Sequence, residues 1–360
     1  MTALVAIGTA KGLFLATSED RESWQLSGPH HQMTEVYAVA IDTRRARPRL
    51  LASVTSSHFG PSVVVSDDLG QTWQEPDHAP VAFPERTGET LRRVWQLAPG
   101  PADQPDRVYA GTEPSALFVS DDAGATYEFV DALWDHPHRE QWGAGFGGQA
   151  VHTVLPHPAR EDELLVAMST GGVYRSEDRG GSWSAANKGI KAYFFPDPWP
   201  EFGQCVHKVA RDAGNPDRLY AQNHHGVYRS DDAGRTWTSI ADGLPTDFGF
   251  TMVAHPKESG TIWSFPIEAD GVRFPPDRRC RVYRSRDAGA TWEACAKGLP
   301  DGPFYPVVLR DAMCADDGEP AGVYFGTRSG EVFGSPDEGE HWNTVAAHLP
   351  DVLSVRAAVL

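Results

Sequence analysis

Apolar residues along this chain come in short runs of four to seven, most with an alternating apolar–polar texture, and each run is cut by a turn signal rich in Gly, Asp or Pro. That texture predicts strands of a half-buried sheet and no long helix. Runs such as 94–97, 107–110, 205–210 and 218–221 recur in pairs. After each pair comes a third run, such as Gly226-Val227-Tyr228-Arg229, followed by a polar turn and an outgoing strand that opens on Thr or Ser and an aromatic residue. Each unit therefore reads as four strands, A to D, with the polar turn joining C to D. The polar turns start at 17, 66, 120, 176, 230, 285 and 335, a period of 49 to 56 residues. A repeat of that length built from short strands predicts an all-β, seven-bladed β-propeller of four-stranded antiparallel blades.

The polar turn is the most regular element. Its clean copies are Ser66-Asp68-Gly70-Thr72-Trp73, Ser176-Asp178-Gly180-Ser182-Trp183, Ser230-Asp232-Gly234-Thr236-Trp237 and Ser285-Asp287-Gly289-Thr291-Trp292. Ser120-Asp122-Gly124-Thr126-Tyr127 ends in Tyr, Ser335-Asp337-Gly339-His341-Trp342 carries His for Thr, and Thr17-Glu19-Arg21-Ser23-Trp24 reads as a worn first copy. The Asp accepts backbone N–H groups inside the turn, Gly supplies positive φ, and the aromatic residue wedges between sheets. The turn consumes this chemistry, so the repeated aspartates are structural and are not an acid–base set.

The first unit lacks an A strand: 3–8 is already a B strand and 12–16 a C strand. The chain ends in an unassigned apolar run, 352–359, which supplies the missing strand and closes the ring. The blades are expected at 1–26 with 352–360, then 34–77, 91–130, 149–186, 204–240, 247–295 and 303–346, in one domain of 1–360.

The turn resembles the Asp-box, or bacterial neuraminidase repeat, shared by sialidases and other propellers. The resemblance spans nearly the whole chain; it is specific for fold and weak for function. It implies a sialidase-like propeller that binds, and in its enzymatic form hydrolyses, a small polar or sugar-like ligand. A true sialidase is not expected: six blades, an Arg-Ile-Pro motif and three substrate-binding arginines characterise that family. Here Arg44, Arg45, Arg47 and Arg49 fall in an A-to-B connection. Xyloglucan-degrading relatives use two tandem seven-bladed rings, and this chain supplies one. Single-ring photosystem-assembly propellers share the blade number but use a basic face.

Net charge is −17, which argues against nucleic acid and anionic membranes as partners. No apolar run approaches the roughly 20 residues that span a bilayer, and the N-terminus shows no secretion signal, so a cytoplasmic location is expected. Cys280 and Cys295 flank the sixth turn and are placed to face each other across strands; thiols are expected in cytoplasm. No Cys-x-x-Cys occurs and no cofactor is expected.

If the Asp-turns lie on one face, the D-to-A and B-to-C loops emerge on the other, where propellers bind ligands. Those loops are long and aromatic: Trp134, His136, His138, Trp142 and Phe146 before the fourth A strand; 191–202, with Tyr193, Phe194, Phe195 and Trp199, before the fifth; and 268–279, with Arg273, Asp277, Arg278 and Arg279, in the sixth. Either they bind a ligand or they pack on themselves as a lid. Two A strands share Gly148-Gln149-Ala150-Val151-His152 and Gly203-Gln204-Cys205-Val206-His207, with Tyr37 and Trp95 at the positions equivalent to the histidines. The expected ligand contacts are Arg93, Trp95, Gln149, His152, Trp199, Gln204, His207, Asn223, His224 and Arg328. Glu113, Asp247 and Glu268 are the carboxylates available for glycoside chemistry. His152, His207 and His224 form an alternative metal set. A small-molecule or saccharide ligand is the leading expectation, and a non-catalytic protein-binding or assembly scaffold the second.

Overall fold

In the computed structural model, which describes residues 1–56, 60–75, 77–145, 148–269 and 271–360, the sequence forms seven antiparallel sheets arranged as a ring. Phe146, expected in a binding loop, lies outside the described residues. Six sheets have four strands. The sheet of blade 2 has three, Val39–Asp42, Arg49–Ser56 and Gly60–Ser66, and an isolated Val65–Gln74 bridge stands where its outer strand would run. Blade 1 combines Val352–Val359 with Ala3–Thr9, Gly12–Ser18 and Gln25–His30, so the last strand is the innermost strand of the first blade. Seven residues of Ala3–Thr9 pair with it, from Ala3 opposite Val359 to Thr9 opposite Val352.

Blades pack through apolar side chains on both sheet faces, which is why the central strands are apolar almost throughout: Leu164–Met168 and Val108–Glu113 are buried at every position. The aromatic residue of the Asp-turn wedges between sheets as expected. Trp237 is 4 % exposed and donates its indole N–H to Ala186 O of the preceding blade, and Trp292 does the same to Ile240 O.

Each turn is a closed hydrogen-bond circuit. In blade 5, Ser230 Oγ donates to Asp232 Oδ1 at 2.8 Å and accepts from Gly234 N at 2.9 Å; Asp232 then accepts from Thr236 N at 2.8 Å and Thr236 Oγ1 at 2.6 Å. Two consecutive residues have positive φ, Ala233 (58°) and Gly234 (87°), and a Cβ on the second position is what the sequence avoids. His341 fits the circuit because its Nδ1 reaches Asp337 Oδ2 at 2.7 Å, where Thr Oγ1 would stand. These contacts hold the carboxylates below their ordinary range, Asp68 at about 2, chiefly through Thr72 Oγ1 and N.

The first turn departs from its expected register. Ser18 and Asp20 carry the circuit: Ser18 Oγ donates to Asp20 Oδ1, which accepts from Glu22 N and Ser23 N. Glu19 instead accepts from Thr2 Oγ1. Arg21 has the first positive φ (59°), and the glycine position is absent. The turn is one residue short, so counting back from Trp24 misplaces the Ser and Asp by one.

A second repeated device caps the A-to-B connections on the same face. His157 Nδ1 accepts from Ala159 N and Arg160 N, and His255 Nδ1 from Lys257 N and Glu258 N. Asp212 Oδ1 does the same for Gly214 N and Asn215 N, and Asp316 Oδ1 for Gly318 N and Gly322 N. Asp42 caps Arg44 N and is paired with the Arg44 and Arg49 guanidiniums, so these early arginines are structural. Cys280 and Cys295 are buried, outside any disulfide and not opposite each other, because Cys295 pairs with Val282. No helix among the described residues is long and apolar enough to cross a membrane.

The register of the first turn is directly testable. Asp20→Ala lowers the thermal midpoint by removing the acceptor of two backbone N–H groups, whereas Glu19→Ala leaves it near wild type; thermal unfolding of the two variants checks this.

Candidate functional site

The A-to-B caps give a ruler for the channel. Counting five residues back from Asp42, His157, Asp212, His255 and Asp316, and from Gly100, which holds the same backbone position without a capping side chain, gives Tyr37, His152, His207, Phe250, Asp311 and Trp95. Three of these, Trp95, His152 and His207, are the extra residue of a β-bulge, where strand register shifts between Val94 and Gln96, Val151 and Thr153, and Val206 and Lys208. A bulge re-aims one side chain out of the strand's alternation, which is how one slot per blade is turned toward the loop-face end of the channel or toward the neighbouring blade.

The two histidines use that freedom differently from expectation. His152 is fully buried; its Nε2 donates to Val206 O of the next blade at 2.9 Å and its Nδ1 lies 3.1 Å from Thr153 Oγ1. Both ring nitrogens are engaged within the protein, His152 ties blade 4 to blade 5, and it lies outside the Cys205–His207–His224 cluster. His207 likewise reaches Gly249 O of blade 6 with Nδ1 at 2.5 Å, but its Nε2 points at Cys205 Sγ, 3.5 Å away. Burial holds both imidazoles well below 6.5, and Arg310 adds to the effect.

The blade-7 slot, Asp311, anchors an ion cluster that joins three blades. Lys208 Nζ of blade 5 lies 2.8 Å from Asp311 Oδ1, and Arg356 of blade 1 binds the same carboxylate. Although burial opposes its charge, Lys208 and Arg356 hold Asp311 far below the usual carboxylate range. Beside it Arg310 lies with its guanidinium 5.1 Å from the Trp95 ring centroid, and no hydrogen-bond acceptor for it occurs among the described residues. Trp95 packs on Tyr37 at 5.0 Å and donates its indole N–H to Glu113 Oε2 at 3.0 Å. The same oxygen lies 3.2 Å from Arg93, whose guanidinium stacks 4.9 Å from Tyr37.

The expected site residues therefore separate. Arg93, Trp95 and Glu113 come together with Tyr37 and Arg310. His207 and His224 come together with Cys205, Phe248 and Phe250. Gln204 and Asn223 are anchors of the 191–202 loop: Gln204 Nε2 donates to Ile190 O and Pro200 O, and Asn223 Nδ2 to Lys191 O. Gln149 is half-buried, Asp247 exposed and Glu268 half-buried, each on a different loop. Arg328 is ion-paired to Asp351 at 2.7 Å on the rim. Sequence reading missed Cys205, Lys208, Arg310 and Asp311; the five-residue offset from the caps would have flagged the last.

The aromatic loops also divide. The 131–142 segment packs down on its neighbours: Trp142 is buried and donates to Tyr174 Oη at 2.8 Å, His138 stacks on Phe202 at 3.9 Å, and Trp134 packs on Phe83 and Phe129. In 191–202, by contrast, Tyr193 is 60 %, Phe194 49 %, Phe195 43 % and Trp199 51 % exposed. Lys191 Nζ sits over both Tyr193 and Trp199. The opposite face carries a cleft of about 510 Å³ lined by polar residues including His157, Arg160, Glu163 and Arg179, outside the channel.

With that geometry in place, comparison with known proteins finds two kinds of similar protein. No family model matches the chain. It is similar to an oligoxyloglucan-reducing end-specific xyloglucanase of Emericella nidulans, 25 % identical over 342 residues, covering 81 % of this chain and 40 % of that protein. A xyloglucanase, Xgh74A, of Acetivibrio thermocellus is 26 % identical over 262 residues, covering 64 % of this chain and 30 % of that protein. The chain thus spans less than half the length of these relatives. Among solved structures it is similar to a GH74 xyloglucanase from Xanthomonas campestris, with a TM-score of 0.60 at 18 % identity over 96 % of this chain and 46 % of that one. YCF48 from Cyanidioschyzon merolae matches with a TM-score of 0.54 at 14 % identity, over 88 % and 86 % of the two chains. The chain is a seven-bladed propeller resembling those of the GH74 xyloglucanases.

Two outcomes follow for the channel. Asp311→Asn leaves Lys208 and Arg356 without their counter-charge and costs about 3–5 kcal/mol of stability in denaturant unfolding. In wild type the Asp311 contribution is complete above the ordinary carboxylate range and is lost as pH falls below it. The buried histidines act in a higher window. The unfolded chain takes up protons below about pH 6.5 that the folded chain refuses, so stability falls there by up to about 1.4 kcal/mol per pH unit for each imidazole. His152→Gln removes part of that slope, as unfolding measured from pH 7.5 to 5.5 reads.

Proposed function

We propose that this propeller binds a saccharide on its loop face, with the 191–202 strip as the stacking surface and the Arg93–Trp95–Glu113–Arg310 cluster as the polar end. The exposed aromatic strip carries the reading. Four aromatic side chains stand in solvent on a segment whose backbone is pinned by Gln204 and Asn223, so a flat sugar face meets a pre-ordered surface. Two things support it: the sequence similarity to xyloglucanases over most of the chain, and a guanidinium over an indole with an ion-paired carboxylate beside it, groups suited to hydroxyl or carboxylate oxygens.

Hydrolysis is a separate question from binding. Glycoside chemistry needs two carboxylates at a set separation. Glu113 is spent on Arg93 and Trp95, while Asp247 and Glu268 lie on other loops. The proposal is therefore of a glycan-binding ring, with cleavage assigned to no residue. The alternative, a protein-docking scaffold, draws on the same exposed aromatic strip.

Isothermal titration with xyloglucan-derived oligosaccharides, cello-oligosaccharides and sialyllactose tests this. The expected outcome is binding of a neutral glucan oligosaccharide that Trp199→Ala weakens about tenfold, about 1.4 kcal/mol. Arg179→Ala, in the cleft on the opposite face, leaves it unchanged. Absence of binding by wild type to every sugar in the panel overturns the saccharide reading.

A further inference from the structure

A trio of soft and borderline ligands sits at the loop-face end of the channel, and neither the proposed saccharide contacts nor the fold accounts for it. Cys205 precedes the inner strand Val206–Arg211, His207 is that strand's bulge, and His224 follows the strand Leu219–Asn223. One ligand atom from each lies within 4.8 Å of the other two. Cys205 is 8 % and His207 3 % exposed, and His224 is half-buried, so the trio is walled on one side and reachable on the other.

Hydrogen bonding fixes which nitrogen is available. A backbone carbonyl only accepts, so Gly249 O requires the proton of His207 to be on Nδ1. The Nε2 lone pair is left aimed at Cys205 Sγ. An imidazole held through Nδ1–H to a carbonyl, with Nε2 presented inward, is the arrangement that orients histidine on a metal. Distance agrees as well. With Zn–S of about 2.3 Å and Zn–N of about 2.05 Å, a tetrahedral angle places S and N about 3.6 Å apart. The observed Sγ–Nε2 separation is 3.5 Å.

The same reasoning rejects the other cluster of potential ligands, His255, Glu258 and Glu338. His255 Nδ1 accepts two backbone N–H groups, so the neutral ring carries its proton on Nε2, the nitrogen that faces Glu338 Oε1 at 3.7 Å. That nitrogen donates and cannot ligate.

We propose that Cys205, His207 and His224 form a three-ligand site for a thiolate-preferring divalent ion of the zinc class, with its fourth position open toward the channel mouth. One sulfur and two imidazole nitrogens form a soft-to-borderline donor set with no oxygen, which favours the zinc class over the oxygen-seeking Mg²⁺ and Ca²⁺. Three protein ligands with one vacant position is the pattern of a zinc that takes an exogenous fourth ligand.

The test uses untagged protein of residues 1–360, stripped with a chelator and then titrated with Co²⁺. The expected result is one equivalent bound, with a thiolate-to-cobalt charge-transfer band and the intense visible bands of a four-coordinate site, both displaced by Zn²⁺ and untouched by Mg²⁺. Cys205→Ser abolishes the charge-transfer band and weakens Zn²⁺ binding by at least about 100-fold. His224→Gln weakens it while keeping the band, and His255→Gln changes neither. Circular dichroism in chelator shows that each variant is folded; His224→Gln, on a half-exposed loop, serves if Cys205→Ser does not fold. Wild-type protein that gives no sulfur band, or that binds Zn²⁺ no tighter than Cys205→Ser, overturns the proposal and leaves a thiol–imidazole hydrogen bond. The outcome is independent of sugar binding, since neither Trp199 nor the saccharide panel enters it.

Discussion

Everything in this molecule hangs on the pairing of Val352–Val359 with Ala3–Thr9. A propeller's blades each bury only two sheet faces against neighbours, so an open arc leaves its first and last faces in water. Contributing the last strand to the first blade converts an open stack into a ring and places the strand beside Asp311 through a parallel bridge to Ser354. Arg356 on that strand then reaches the Asp311 carboxylate, so ring closure and the channel ion cluster are one event. The positions of Arg310, Trp95 and the blade-5 histidine all presuppose it.

One slot per blade, five residues ahead of the A-to-B cap, does most of the differentiating work. The backbone there is bulged or irregular in every well-formed inner strand of blades 3 to 5, and the side chain is freed from sheet alternation. A free direction can be spent on the neighbouring blade, as His152 does, or on the channel, as Trp95 does, or on both through two ring nitrogens, as His207 does. Repeat architecture explains why residues far apart in sequence converge: the ring brings slot-equivalents together irrespective of separation along the chain.

That logic also sets what could be read in advance. Blade number, strand order and closure were legible because the Asp-turns use short-range chemistry, all within eight residues, and the orphan strand had one place to go. The first turn was misread by one residue because it has lost its glycine position, and no spacing rule detects a deletion inside a degenerate copy. The candidate histidines were correctly placed as slot-equivalents but not resolved in role, since which nitrogen is free depends on a carbonyl contributed by the next blade. Gln204 and Asn223, expected as ligand contacts, also hold the 191–202 loop through their amide N–H groups, a role that sequence does not separate from facing a ligand. Lys208 and Arg310 carried no local signal at all, because their partners sit on other blades.

The closure strand has a mechanical meaning apart from its thermodynamic one. Thr2 N donates to Leu360 O and Leu360 N to Thr2 O, so both tails leave from the same end of the same antiparallel ladder. Tension applied between them loads the hydrogen bonds one pair at a time, in unzipping geometry, instead of shearing seven pairs together. A ring closed by that ladder is thereby soft to force along one axis. Anything tethered to its two tails and pulled apart would open the propeller at blade 1 before disturbing any other blade.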